Sequence, residues 1–193
     1  MLKAAEIAEI FHKTKGFLEG HFQLSSGLHS PNYMQCAKVL QHPEHGERFA
    51  KAMAGKLEAF KPTAVLAPAL GGILVGYELA RALKVRSIFA ERVDGVMTLR
   101  RGQEIKPDDR LVLCEDVVTT GKSIKEVESL ALAAGATVVA MAAIVDRSGG
   151  KWSLSHPLTS LLSMELVTHE PGKCPLCASG SVAIKPGSRP TAS

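Results

Sequence analysis

Glu115 and Asp116 are adjacent carboxylates in a setting that suits a sugar. They follow the apolar run Leu111-Val112-Leu113-Cys114 and precede Val117-Val118-Thr119-Thr120-Gly121-Lys122-Ser123. Neighbouring carboxylates can accept hydrogen bonds from both hydroxyls of a vicinal diol. The hydroxyls of Thr119, Thr120 and Ser123, with loop amides at the positive end of a helix dipole, can hold a phosphate. Together they fit a sugar phosphate. Two other readings compete. Gly121-Lys122-Ser123 looks like the end of a nucleoside-triphosphate loop, but that loop needs a glycine where this chain has Asp116, an anion where phosphates would lie. The plainer alternative is a strand, turn and helix with Ser123 as a cap. Two acids at the end of a buried strand weigh against it, because such groups need partners.

These groups need elements to hold them. Leu111 to Cys114 does not alternate, which predicts a strand buried on both faces, as in a parallel sheet. After Ser123, the residues Ile124, Val127, Leu130 and Ala134 share one helical face. Ala64 to Ala67, Val85 to Ala90 and Val138 to Val145 read as further strands, the last ending at Asp146-Arg147. Pro68-Ala69-Leu70-Gly71-Gly72 reads as a tight loop before a helix from Ile73 to Leu83. An amphipathic helix opens the chain, with Ile7, Ile10 and Phe11 as its buried face. Another starts at Pro43, buries Phe49, Met53, Leu57 and Phe60, and stops by Pro62. Strand-helix-strand, repeated, predicts an α/β fold with a mainly parallel central sheet flanked by helices. Ligands of such sheets bind beyond the carboxyl ends of the strands. The loops 68–72, 115–123 and 146–150 should therefore converge.

With 193 residues and 46% hydrophobic content, the chain can build one sizeable core. The expected organisation is a single domain over 1–193, with a hood over about 1–42, a core over about 43–150 and a C-terminal tail over about 165–193. No apolar run has transmembrane length and no leader pattern opens the chain, so a soluble, cytoplasmic protein without a membrane partner is expected. A net charge of +4 suits small anions but is too mild to argue for nucleic acid. Aromatic residues make up only 5%, which leaves no stacking platform for single strands.

The segment from Leu111 to Ser123 resembles the ribose-5-phosphate signature of the type I phosphoribosyltransferases. The resemblance implies that Glu115, Asp116, Val117, Val118, Thr119, Thr120, Gly121, Lys122 and Ser123 bind phosphoribosyl pyrophosphate. It also implies that Ala69, Leu70, Gly71 and Gly72 hold the pyrophosphate, with Ala69–Leu70 as a cis peptide. The stretch Gly20 to Cys36, GHFQLSSGLHSPNYMQC, is similar to the hood of the orotate phosphoribosyltransferases in particular. That similarity places Ser25, Ser26, Tyr33, Met34, Thr119 and Arg147 at orotate. Mg²⁺ would be held mainly through substrate and water, with no direct protein ligand. The chain would work as a homodimer.

Glu91 to Arg110 is too long for a simple connection and carries Arg92, Arg100 and Arg101. A mobile arm bearing guanidinium groups can close over a departing pyrophosphate; the plainer reading is a solvated hairpin. Arg92, Arg100, Arg101 and Asp116 are the candidate catalytic residues. The resemblance covers roughly residues 16 to 150. It departs at Ser25, where many members carry Lys, and in the arm, which has arginines instead of the usual Lys and His before Lys106. An Arg-rich arm with a CPxC-bearing tail resembles a bacterial subgroup of these enzymes. Two alternatives stay open: an enzyme of the same fold acting on a purine base, and a non-catalytic regulator that binds phosphoribosyl pyrophosphate.

Cys36 and Cys114 read as small apolar residues. Cys174 and Cys177 form a CxxC pair, with His169 and Cys36 as possible companions. One such pair supplies half a zinc site, so a tail with reduced thiols is the preferred reading. Lys185 to Arg189 is free to fold back on the site, though nothing in the sequence requires it.

Overall fold

A computed structural model describes residues 2–24, 26–150 and 156–186. The expected orotate contact Ser25 lies outside the described residues, as do Gly187 to Arg189. Among the described residues, one six-stranded sheet has the order β5-β4-β3-β6-β7-β8. Its strands are β3 (Ala64–Pro68), β4 (Arg86–Val93), β5 (Val96–Leu99), β6 (Arg110–Val118), β7 (Thr137–Asp146) and β8 (Leu158–Ser163). All neighbours run parallel except β4 and β5. The helices are α1 (Ala4–Lys13), α2 (Cys36–Leu40), α3 (Pro43–Leu57), α4 (Gly71–Leu83), α5 (Lys122–Ala133) and the single turn α6 (Pro175–Ala178). A separate antiparallel pair, β1 (Phe17–Gln23) and β2 (His29–Met34), makes the hood.

The sheet is the middle layer of three. On one face Val65, Val112, Cys114 and Ile144 pack with Ile7, Phe11, Phe49, Met53, Leu57 and Leu79 from the helices. On the other face Leu66, Leu111, Leu113 and Met141 pack with Ile124, Val127 and Ala131 of α5. The unbroken apolar run of β6 is the consequence: alternate residues serve opposite faces, and both faces are covered.

Several boundaries differ from the sequence reading. β6 runs on past Cys114 to Val118, so both acids lie inside the strand. β4 continues to Val93 and turns back at Asp94-Gly95, both with positive φ (50° and 84°), into β5. That is the two-residue hairpin geometry that asparagine, aspartate and glycine tolerate. β8 and α2 carry no sequence signal strong enough to find them. β8 (LTSLLS) is a half-buried edge strand without clear alternation, and α2 is only five residues long.

Candidate active site

The paired acids sit where the sheet opens. β6 stays in register with β3 only as far as Leu113, which faces Leu66. It stays in register with β7 to Val118, which faces Asp146. β3 leaves the sheet at Pro68 and turns into α4, which frees the β3-side edge of β6 from Cys114 onward. Connections leave β3 towards β4 on one side and β6 towards β7 on the other, so this is the topological switch point of the sheet. Glu115 and Asp116 line a cleft of about 1100 Å³ there.

The loop after β3 touches the acids directly. The Ala69–Leu70 peptide is cis, as the family resemblance implies. A Cβ on Gly71 would lie 2.6 Å from both carboxylate oxygens of Asp116. Only glycine lets backbone and carboxylate approach so closely. A Cβ on Gly72 would meet the Cys114 carbonyl oxygen at 3.1 Å. Residues 69–72 do not form the cleft wall, but they abut it through Asp116 and open the 13-residue helix α4.

The loop after β6 contributes Thr119, Thr120, Gly121, Lys122 and Ser123 to the wall. Gly121 (φ 71°) caps α5 from the left-handed region. The Lys122 amide donates to Thr120 Oγ1 at 3.4 Å. Of the expected phosphoribosyl contacts, Val118 is fully buried and its side chain belongs to the core beneath. Val117 lines the cleft.

The opposite wall comes from the hood and from the end of β7. Ser26, Tyr33 and Met34 line it, with Arg147 facing them. The Arg147 amide donates to the Val118 carbonyl at 2.8 Å, which fixes the residue beside the phosphate loop. Its Nε is buried and has no hydrogen-bond partner among the described residues. Lys125, Glu165, Leu166 and Thr168 also line the cleft. They belong to no motif: Lys125 reads as an ordinary exposed helix residue, and Glu165, Leu166 and Thr168 reach the cleft only because β8 returns the chain to it. The Met164 amide donating to Asp146 O at 2.9 Å makes that join.

The arm is a hairpin folded on the sheet edge, and its arginines are paired. Arg92 lines the cleft and donates to Glu126 Oε1 of α5 at 2.9 Å. Arg100 and Arg101 do not line the cleft; they lie 3.6 Å and 3.2 Å from Glu91 Oε1.

Burial and mutual repulsion dominate the electrostatics. Desolvation, then the neighbouring Asp116 charge, pushes the Glu115 carboxyl up to about 8, against the pull of the Ser123 hydroxyl and Arg92. Desolvation also raises Asp116, although its Oδ1 accepts from the Val117 amide at 2.9 Å. Tyr33 is raised by burial and by Asp116. Burial lowers Arg147. The cleft thus holds two costly acids and a half-buried cation whose buried Nε is an unused donor among the described residues. Each would gain from a ligand bearing hydroxyls at one end and an anionic group at the other.

Comparison with known proteins agrees with this geometry. The phosphoribosyl transferase domain family matches residues 35–172. The orotate phosphoribosyltransferase of Heliobacterium modesticaldum is 51% identical over 186 residues, covering 95% of this chain and 97% of that protein. The orotate phosphoribosyltransferase of Carboxydothermus hydrogenoformans is 50% identical over 186 residues, with the same coverage of 95% and 97%. The crystal structure of orotate phosphoribosyltransferase from Aeropyrum pernix superposes with a TM-score of 0.67 at 25% identity, covering 82% of this chain and 93% of that one. A switch-point cleft with paired acids, a glycine-tight cis loop and a hydroxyl-rich helix start thus sits in a chain with close relatives along nearly its whole length, and this chain belongs to the orotate phosphoribosyltransferase family.

Proposed function

We infer that the chain transfers ribose 5-phosphate from phosphoribosyl pyrophosphate to N1 of orotate, releasing pyrophosphate and forming orotidine 5′-monophosphate. The observation that carries the substrate assignment is Arg147: a half-buried guanidinium whose buried Nε has no partner among the described residues, across the cleft from the hood and beside the twin acids. It suits the carboxylate and carbonyls of an orotate ring stacked near Tyr33 and Met34, with Ser26 and Thr119 around it. Glu115 and Asp116 hold the ribose hydroxyls. Thr119 to Ser123 hold the 5-phosphate at the start of α5. Residues 69–72 hold the pyrophosphate.

In the reaction the bond from the anomeric carbon to the pyrophosphate oxygen breaks and the bond to N1 forms. The anomeric carbon passes through a cation-like state. The protein's work is positioning and charge stabilisation. Asp116 is placed to offset the positive charge, and an arm arginine the negative charge on the leaving group. Of the three, Arg92 is the one in the cleft. Orotate gives up its ring proton readily, so no strong general base is needed. The carboxylate-bearing cleft offers hard oxygen acceptors for the water shell of a Mg²⁺ that would be held mainly through substrate and water. When bound, the ion screens charge on the pyrophosphate.

One domain acting as a cytoplasmic homodimer completes the reading. No helix among the described residues is long and apolar enough to cross a membrane. Leu74 and Tyr77 on α4, with Leu70 just before its first turn, are exposed at three- and four-residue spacing, an apolar stripe that a second copy can cover.

The test is loss of orotate absorbance with phosphoribosyl pyrophosphate and Mg²⁺, with adenine, guanine and xanthine offered in parallel. Turnover should be confined to orotate and stop with a chelator. Asp116→Asn should cut kcat strongly. Arg147→Ala should raise the KM for orotate by roughly 10- to 150-fold, the loss of a charge-assisted hydrogen bond of about 1.5–3 kcal/mol. Turnover with a purine base, or equal activity of both variants and the wild type, would overturn the assignment.

A further inference from the structure

The tail around Cys174 has no visible apolar reason to stay where it is. Between residues 167 and 186 the one buried residue is Cys174. Yet the segment is stitched to both edges of the hood. His169 exchanges backbone hydrogen bonds with His29, both at 2.8 Å. Ile184 donates to the His21 carbonyl and accepts from the Gln23 amide, again both at 2.8 Å. The chain between these two points loops over one face of the β1–β2 ribbon.

Four side chains meet under that loop. Cys174, the residue capping α6, and Cys177 in its single turn stand three residues apart, with both sulfurs near His21 Nε2. His29 faces Gln23 across the ribbon, and His21 is two residues before Gln23, so the two histidines are diagonal neighbours on one face. His21 Nε2 and His29 Nδ1 are 2.9 Å apart. Cys174 Sγ is 3.5 Å from His21 Nε2, while Cys177 Sγ is 3.7 Å from His21 Nε2 and 3.3 Å from His29 Nδ1. All four donor atoms lie within 4.8 Å of one another.

We propose that His21, His29, Cys174 and Cys177 form a structural zinc site that clips the C-terminal tail to the hood. Ideal tetrahedral zinc bonds separate nitrogen and sulfur ligands by about 3.5 Å, paired nitrogens by about 3.3 Å and paired sulfurs by about 3.8 Å. The three nitrogen–sulfur distances bracket that value, and the nitrogens need to part by only a few tenths of an ångström. Two thiolates and two imidazoles form one of the recurrent closed zinc sets and leave no position for substrate. The imidazole face not used for metal is also provided for: His21 Nδ1 lies 3.1 Å from Ser181 Oγ, the outer hydrogen bond that orients a ligating histidine. His21 at 6% exposure, His29 at 7% and Cys174 at 3% are shielded, whereas Cys177 is open and gives the ion a way in. The expected companions of the CxxC pair are replaced. Cys36 is buried elsewhere, with its sulfur 4.0 Å from the Asp116 carbonyl, and His169 contributes its backbone only to the join.

The competing account is a hydrogen-bonded cluster of neutral thiols and imidazoles. Zinc content separates the two. Full-length protein purified without a polyhistidine tag or chelator, incubated with zinc and desalted, should carry about one zinc per chain. Cobalt loaded in its place should show tetrahedral d–d bands with thiolate charge transfer. Cys174 and Cys177 should be slow towards a disulfide thiol reagent until a chelator is added. Cys177→Ser, at an exposed position that tolerates the change, should lose at least tenfold of the zinc with the fold intact by circular dichroism. His29→Cys should keep it, because three thiolates and one imidazole also form a zinc set. Wild-type protein with less than a tenth of a zinc per chain would overturn the proposal, as would full zinc in Cys177→Ser. One consequence rests on the orotate reading: the turn joining β1 and β2 carries Leu24, Ser26 and Leu28 of the cleft, so stripping the metal should raise the KM for orotate more than that for phosphoribosyl pyrophosphate. Failure of that kinetic effect with zinc present would count against the substrate pose alone.

Discussion

Glu115 carries a pH dependence whose sign follows from its neighbours. Its carboxyl is held up to about 8 in the folded, ligand-free chain, whereas an unfolded glutamate titrates near its ordinary value of about 4.3. Between those limits the folded chain binds a proton that the unfolded chain has released. Stability of the ligand-free protein therefore falls as pH rises through that window. Glu115→Gln should raise Tm at pH 8 by a few degrees and make little difference near pH 4, which a thermal melt at both pH values would check. Hydroxyl donors from a ribose favour the carboxylate, so donor binding should release a proton below pH 8. Calorimetry in buffers of different ionisation enthalpy should report that release, and equal heats after buffer correction would count against a diol at Glu115. Gly71 is the second residue with a sharp outcome. In Gly71→Ala the new methyl would overlap both Asp116 oxygens, while alanine suits the start of α4 better than glycine. The expected result is a fall of roughly tenfold or more in kcat/KM with an unchanged or slightly higher Tm, since the damage is to Asp116 and not to the fold.

At the scale of elements, the arm is anchored at its base and ion-paired along its length. At the base, Asp109 accepts from Thr63 Oγ1 at 2.8 Å and from the Lys106 amide at 2.7 Å, and it pairs with Arg86 at 2.5 Å. Burial pushes the Asp109 carboxyl up, but the Arg86 guanidinium, the Lys106 amide and the Thr63 hydroxyl outweigh it and hold the group below its usual range. Its contribution is therefore present above the ordinary aspartate range and lost as pH falls through the lowered value. This knot lies at the amino-terminal ends of β4 and β6, the far side of the sheet from the cleft. Asp109→Asn should cost about 1–3 kcal/mol of stability by denaturant titration and leave kcat at low temperature unchanged. Within the arm, Arg92 reaches the cleft and the other two arginines are turned to Glu91. Arg92→Ala should lower kcat more than Arg100→Ala or Arg101→Ala. If Arg100→Ala or Arg101→Ala has the larger effect, the hairpin must open from Glu91 and close over the site during turnover.

At the scale of the whole molecule, the proposed homodimer would cover the apolar stripe at the start of α4. Sedimentation should give about twice the chain mass of 20.5 kDa. Leu74→Lys should shift it towards the monomer by placing a charge in the stripe; a monomeric wild type would remove the dimer from the functional reading.

The sequence by itself determined the four central strands of the sheet, β4, β3, β6 and β7, and the phosphate end of the cleft. Both are local: β6 and the loop after it are contiguous, buried strands announce themselves as unbroken apolar runs, and a helix start is marked by its glycine and hydroxyls. The cis bond at Ala69–Leu70 was legible only through family likeness, because no local propensity signals it. Tertiary structure decided what depends on distant segments meeting. The acids became part of a longer strand because β7 continues beside them after β3 has left. Arg147 acquired a buried donor without a partner among the described residues only when β7, the hood and β6 closed around it. Glu165, Leu166 and Thr168 entered the cleft because β8 carried them there. The clearest case is the pair Cys174 and Cys177, half of a metal site along the chain, which meets its other half on β1 and β2 about 150 residues earlier. Ligand geometry is set by proximity in space, and sequence spacing reports it only when the ligands share one element.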